Sequence, residues 1–137
     1  MNVAVATPDG YKPDGAVLEF TKGYGDKFAL ETDPFMAASG ADILITDTWT
    51  SMGEEAEKEE RKKIFKDYQI NRQLLAAANA GAMVQHCLPA YRGQEITEEV
   101  FEEHADEIFN EAENRLHAQK AVMVKLMKNV NSAFEFH

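Results

Sequence analysis

The run Ala41-Asp42-Ile43-Leu44-Ile45-Thr46-Asp47 limits what this chain can fold into more than any other stretch. Three bulky apolar residues in succession need cover on both faces, the condition of a strand inside a parallel sheet flanked by helices. Three more short runs predict strands, at Met1–Ala6, Lys27–Glu31 and Ala82–Cys87. Helical spacing is predicted over Ala16–Tyr24, Phe35–Ser39, Arg72–Asn79 and Glu98–His104, with Asn71 and Thr97 as N-caps and Asp33 ahead of Pro34. Glu54–Lys63 is almost wholly charged and predicts a solvated helix, with Glu57 and Arg61 four apart in the favourable order. Ile108 and Phe109 predict a short buried connection, and a long amphipathic helix is expected from about Glu111, with Leu116, Val122, Met123, Leu126 and Met127 as its stripe. Strands alternating with helices predict an α/β fold with a parallel sheet.

A chain of 137 residues makes one domain, here 1–137, long enough to bury a real core. The net charge of −10 argues against non-specific binding to nucleic acid or to an anionic membrane surface. One cysteine cannot close an internal disulfide, no apolar run reaches membrane-spanning length, and no signal peptide opens the sequence. A cytoplasmic protein is the expectation.

In parallel α/β folds the carboxyl ends of the strands gather at one edge, where chemistry is placed. Three strand ends are candidates: Thr7-Pro8, Asp47 to Gly53, and His86-Cys87-Leu88-Pro89. Asp47 would hold a carboxylate at that edge to orient a cationic amine, or would cap the turn behind it. Ser51 and the backbone of Ser51-Met52-Gly53 could bind a carboxylate. Cys87 is either an inert small hydrophobe or a thiol beside a substrate amine. His86 could act as a base, but no Ser/His/Asp or metal-ligand spacing surrounds it. Arg115, placed by this reading in the first turn of the last helix, would suit a phosphate, or would form a surface pair with Glu111. No glycine-rich phosphate loop or dinucleotide fingerprint is present.

Asp47-Thr48-Trp49-Thr50-Ser51-Met52-Gly53, His86-Cys87-Leu88-Pro89 and Glu111-Ala112-Glu113-Asn114-Arg115-Leu116-His117, with the opening Ala6-Thr7-Pro8 and Gly10-Tyr11, resemble the second, ornithine-binding domain of ornithine carbamoyltransferase. The resemblance runs over nearly the whole chain. It implies a Rossmann-like three-layer sandwich and transfer of a carbamoyl group from carbamoyl phosphate to the side-chain amine of ornithine, giving citrulline and phosphate. It implies further that Asp47, Ser51, Met52 and Cys87 contact ornithine, and that Cys87, Leu88 and Arg115 contact carbamoyl phosphate, with Cys87 and Arg115 at the reacting centre. No metal or organic cofactor is implied, and the full-length form is expected to be a homotrimer. Cysteine in His-Cys-Leu-Pro separates the chain from aspartate carbamoyltransferases, which carry proline there. Putrescine carbamoyltransferases share the motif, which leaves the choice of ornithine to the Ser51-Met52-Gly53 loop.

Against the family pattern, the carbamoyl-phosphate domain and the strand that opens the second domain are missing. That strand would lie between the strands at Met1–Ala6 and Ala41–Thr46, so a gap in the core and unpaired backbone are expected there. Met1 falls where the full-length family also tends to have methionine, so the sequence is expected to be a piece of a longer chain. The isolated piece is expected to be inactive and marginally folded. The alternative is a non-catalytic fragment, or association module, that acts only by binding another chain.

Overall fold

The computed structural model describes residues 1–50 and 57–133, with side chains through 128. Its elements are β1 (Val3–Ala6), α1 (Gly15–Thr21), β2 (Phe28–Glu31), α2 (Pro34–Ala38), β3 (Ile43–Thr46), α3 (Lys58–Phe65), α4 (Arg72–Ala77), β4 (Met83–His86), α5 (Glu98–Glu103) and α6 (Ala105–Ala133). All four strands fall inside the predicted runs. A 3₁₀ segment, Lys22–Lys27, follows α1 and replaces the last turn of the predicted helix; it is interrupted where Gly25 turns to φ 52°.

The expected caps form. Asp33 accepts the Phe35 N–H ahead of Pro34, Asn71 accepts that of Leu74, and Thr97 that of Val100. Each fixes where a short helix begins, and so where the preceding strand or loop must end.

The strands form two parallel pairs rather than one sheet. β1 pairs with β2, and β3 with β4 in the register Ile43↔Met83 to Thr46↔His86. Among the described residues no ladder joins β1 to β3, and the expected gap lies between them as a cleft of about 940 Å³ lined by both strands. The core is correspondingly lopsided. Leu44, Val84, Ile70, Leu74, Ile96, Val100 and Ile108 cluster around β3–β4 beneath α4, α5 and the start of α6, while β1 and β2 contribute no residue to that cluster.

Two sequence expectations are corrected at the carboxyl-terminal helix. Ile108 and Phe109 are not a connection: α6 already starts at Ala105 and runs through them, and Phe109 is exposed while Ile108 is buried. His104 closes α5, and its side chain bonds Glu107 in the first turn of α6, so two helices meet where a loop was expected. Arg115 therefore lies about three turns into α6 rather than at its amino end. The stripe Leu116, Val122, Met123, Leu126 and Met127 stands exposed. Among the described residues no helix is long and apolar enough to cross a membrane.

The outer edge of β4 is closed by a side chain. Glu107 Oε2 accepts the buried Val84 N–H at 2.9 Å and also contacts His104 Nδ1 at 2.9 Å. Burial alone would push the Glu107 carboxyl up; the bonds from His104 and Val84 outweigh it and hold the group below its ordinary 4.5. A carboxyl lowered by folding stabilises the fold above its unfolded value, and that contribution fades as pH falls through the lower, folded value. Glu107→Ala, which leaves the Val84 N–H without an acceptor, should cost about 1–2 kcal/mol at pH 7 in urea unfolding, with the deficit shrinking below about pH 4.

Candidate functional site

The site follows from strand register. Because Thr46 sits opposite His86, the next residues of each strand, Asp47 and Cys87, leave the sheet side by side. Cys87 Sγ donates to Asp47 Oδ1 at 3.3 Å, and the same oxygen accepts the Thr48 N–H at 2.7 Å. Asp47 thus fastens the turn behind β3, the second of the two roles read for it, and its exposed carboxylate also accepts from the thiol, a contact the sequence did not suggest.

Burial, then the Asp47 hydrogen bond and charge, then Glu111 push the Cys87 thiol up; Arg115 pulls the other way. Glu111 and Arg115, one turn apart on α6, therefore bear on the thiol together. The Arg115–Glu111 surface pair does not form among the described residues, and Glu113 pairs instead with His117 at 3.2 Å. Arg115 is exposed, and Glu111 Oε2 is buried with no hydrogen-bond partner.

His86 is a brace. It is fully buried, its Nδ1 accepts the Leu88 N–H at 2.9 Å, and its Nε2 meets Glu95 Oε1 at 3.1 Å. An Nδ1 that accepts puts the ring proton on Nε2, which donates to Glu95. Glu95, also fully buried, takes the Tyr91 N–H on the same oxygen. This network ties both sides of the loop after β4, in which Leu88 holds φ 56° and the Leu88–Pro89 peptide is cis. Asp47, His86 and Cys87 each bring one possible metal-ligand atom within 4.8 Å of the others. Both imidazole nitrogens are already engaged, so a metal would have to break the brace.

The third strand end joins through aromatic rings. Thr7, buried after β1, donates its hydroxyl to the Tyr11 carbonyl; Tyr11 packs edge-on to Phe65 at 4.9 Å, and Phe65 stacks with Trp49 at 6.1 Å. Arg61 lies over Tyr11, bonds the Trp49 carbonyl and pairs with Glu57 at 3.0 Å. The pair with Glu57 was expected, but the solvated-face reading of this helix fails at Arg61, whose side chain is largely covered. Ser51 and Met52 lie outside the described residues.

Sequence reasoning missed Glu95 and Glu111. Glu95 is an acid directly before the apolar Ile96, with no spacing that marks it. Glu111 entered as a partner for Arg115 and as the first residue of the Glu111–His117 motif, with no part beside Cys87.

The profile of the family described as aspartate/ornithine carbamoyltransferase, Asp/Orn binding domain, matches residues 1–126. The chain belongs to this carbamoyltransferase family. It is 55% identical over 131 residues to the ornithine carbamoyltransferase of Gloeobacter violaceus, covering 93% of this chain and 42% of that protein. With that of Methanosarcina acetivorans it shares 52% over 128 residues, again 93% and 42%. The crystal structure of anabolic ornithine carbamoyltransferase from Campylobacter jejuni superposes with a TM-score of 0.87 at 44% identity, covering 93% of this chain and 44% of that one. The chain thus spans less than half the length of the carbamoyltransferases it matches.

Two measurements probe the site. Alkylation of Cys87 by iodoacetamide at pH 8, followed by mass, should be slower than for an unstructured cysteine peptide, and Asp47→Asn should speed it roughly three- to tenfold by removing an adjacent negative charge. Glu95→Ala strips acceptors from two buried donors and should lower stability by about 2–3 kcal/mol, seen as a fall in the urea midpoint.

Proposed function

We propose that this chain is the ornithine-binding part of a carbamoyltransferase that moves the carbamoyl group of carbamoyl phosphate to the side-chain amine of ornithine, releasing citrulline and phosphate. The observation that carries the reading is the Cys87 thiol held on the Asp47 carboxylate at the carboxyl ends of β3 and β4. An amine attacks only when neutral, so the site must orient it without holding it as an ammonium. Asp47 supplies the orienting charge, and the thiol, kept protonated by burial and by that same charge, is a neutral partner for the nitrogen. Arg115, exposed on α6 and near enough to influence Cys87, is the cation for the phosphate leaving group. Leu88, whose N–H is taken by His86, offers its carbonyl and a rigid turn to the carbamoyl group. Ser51 and Met52 belong to the same reading as the loop over the amino-acid end of ornithine.

Holding two substrates in line is the largest service such a site performs, and half a site cannot do it. A carbamoyl-phosphate domain outside these residues, a homotrimeric full-length form, a place in arginine metabolism and a cytoplasmic location complete the proposal. The competing reading is a fragment that acts only by association, favoured by the open cleft beside β1 and the exposed stripe of α6.

Citrulline formation from ornithine and carbamoyl phosphate separates the two readings. The 137-residue chain alone should give none above the uncatalysed rate. In a longer enzyme containing it, Cys87→Ala should raise KM for ornithine at least tenfold more than KM for carbamoyl phosphate, and Arg115→Ala should do the reverse. Equal losses for both substrates, or unchanged kinetics, would remove these residues from their assigned places.

A further inference from the structure

Arg61 joins three stretches that chain order keeps apart. Its Nε donates to Glu57 Oε2 at 3.0 Å, its Nη1 donates to the Trp49 carbonyl at 3.3 Å, and its guanidinium lies 5.3 Å from the centre of the Tyr11 ring. Tyr11 follows β1, Trp49 follows β3 and Glu57 precedes α3. Such a set of contacts suits arginine and not lysine, because a planar group with fixed N–H directions can meet two acceptors at its edge while an aromatic ring covers its face. The side chain is only 18% exposed, so these contacts are made largely out of water, where they hold geometry better than a surface pair does.

The Trp49 carbonyl matters through what precedes it. Asp47 is fixed on its amino side by the ladder, where Thr46 pairs with His86. On its carboxyl side its own Oδ1 accepts the Thr48 N–H at 2.7 Å, a bond internal to the turn that does not by itself aim the turn at anything. Only Thr48 separates Asp47 from Trp49, so anchoring the Trp49 carbonyl on Arg61 restricts the few soft backbone angles that direct the Asp47 carboxylate. That carboxylate meets Cys87 Sγ at 3.3 Å, and hydrogen bonds weaken steeply as alignment is lost. Trp49 is held a second time by its ring, which stacks on Phe65, one turn beyond Arg61 on the same helix.

We propose that Arg61 is a positioning residue for the Asp47–Cys87 contact: by holding the Trp49 carbonyl it aims the Asp47 carboxylate at the thiol. Its effect passes through the backbone of Asp47-Thr48-Trp49. The bearing of this contact on amine binding rests on the carbamoyl-transfer reading; the contact itself is measured by thiol reactivity, which a failure of that reading leaves unchanged.

The test is alkylation of Cys87 by iodoacetamide in the 137-residue chain at pH 8, followed by mass, beside amide hydrogen exchange at Thr48. Asp47 pushes the thiol up, so loosening its hold frees thiolate and speeds alkylation. Arg61→Gln should therefore speed the reaction about two- to fivefold and quicken exchange of the Thr48 N–H. The sign is diagnostic, because loss of a cation acting through space would disfavour the thiolate and slow the reaction. In an Asp47→Asn background Arg61→Gln should add no more than about 1.5-fold, since the contact it serves is already gone. Arg61→Lys, which keeps the charge and loses the fork, should be accelerated by a smaller factor, and it decides the matter alone if Arg61→Gln does not fold. Leu75→Ala trims apolar packing away from the turn; it should lower the urea midpoint and leave the alkylation rate unchanged. Unchanged or slower alkylation in the folded Arg61 variants, the same acceleration with and without the Asp47 carboxylate, or an equal acceleration in Leu75→Ala overturns the proposal.

Discussion

The β3–β4 ladder is the constraint on which the rest depends. Its four paired positions carry Leu44 and Val84 into the core, align Thr46 with His86, and so deliver Asp47 and Cys87 to the same point. A slip of one residue would turn every side chain of one strand to the other face and part the thiol from the carboxylate. The ladder is held on its far side by Glu107 and beyond its end by the His86–Glu95 brace. Site geometry and fold stability are therefore two readings of one set of hydrogen bonds. The β1–β2 pair lacks such support, since it touches the main core chiefly through α2 and contributes nothing to the buried cluster.

Much of this was legible in the residues, for identifiable reasons. The apolar triplet Ile43-Leu44-Ile45 marks a strand covered on both faces, and Asp33, Asn71 and Thr97 are capping types placed directly before helical runs. Local rules suffice for such features. What stayed hidden depends on contacts distant in sequence or on a continuity that spacing does not reveal. His86 reads as a free base until Glu95 and the Leu88 N–H occupy both nitrogens. Arg115 reads as a helix-start ligand because Ile108 and Phe109 look like a break, whereas His104 and Glu107 join α5 to α6 without a loop between them. Arg61 sits in a charged run, and only the fold brings Tyr11 and the Trp49 carbonyl to it.

The site also shows how a small α/β unit combines rigidity with an open face. Its rigid parts are backbone turns pinned by buried side chains; its reactive parts are the exposed Asp47, the half-buried Cys87 and Arg115 on the outer length of α6. Pinning the frame and exposing the chemistry costs about two buried polar atoms without partners, Glu95 Oε2 and Glu111 Oε2, among the described residues. Both flank the thiol's loop or its neighbouring helix.

Leu88 carries a last consequence, for inheritance rather than for chemistry. A φ of 56° is disfavoured for any L-residue by roughly 1–2 kcal/mol, and the penalty is steepest for side chains branched at Cβ. Among point variants arising at this codon, valine and isoleucine should be purged although they match leucine in hydrophobicity, whereas methionine, unbranched at Cβ, should persist. Glycine or asparagine would relax the turn while giving up apolar packing against the core that Leu88 lies on. The drift open to this position is thus set by the backbone it must adopt and not by the apolar residues it packs against.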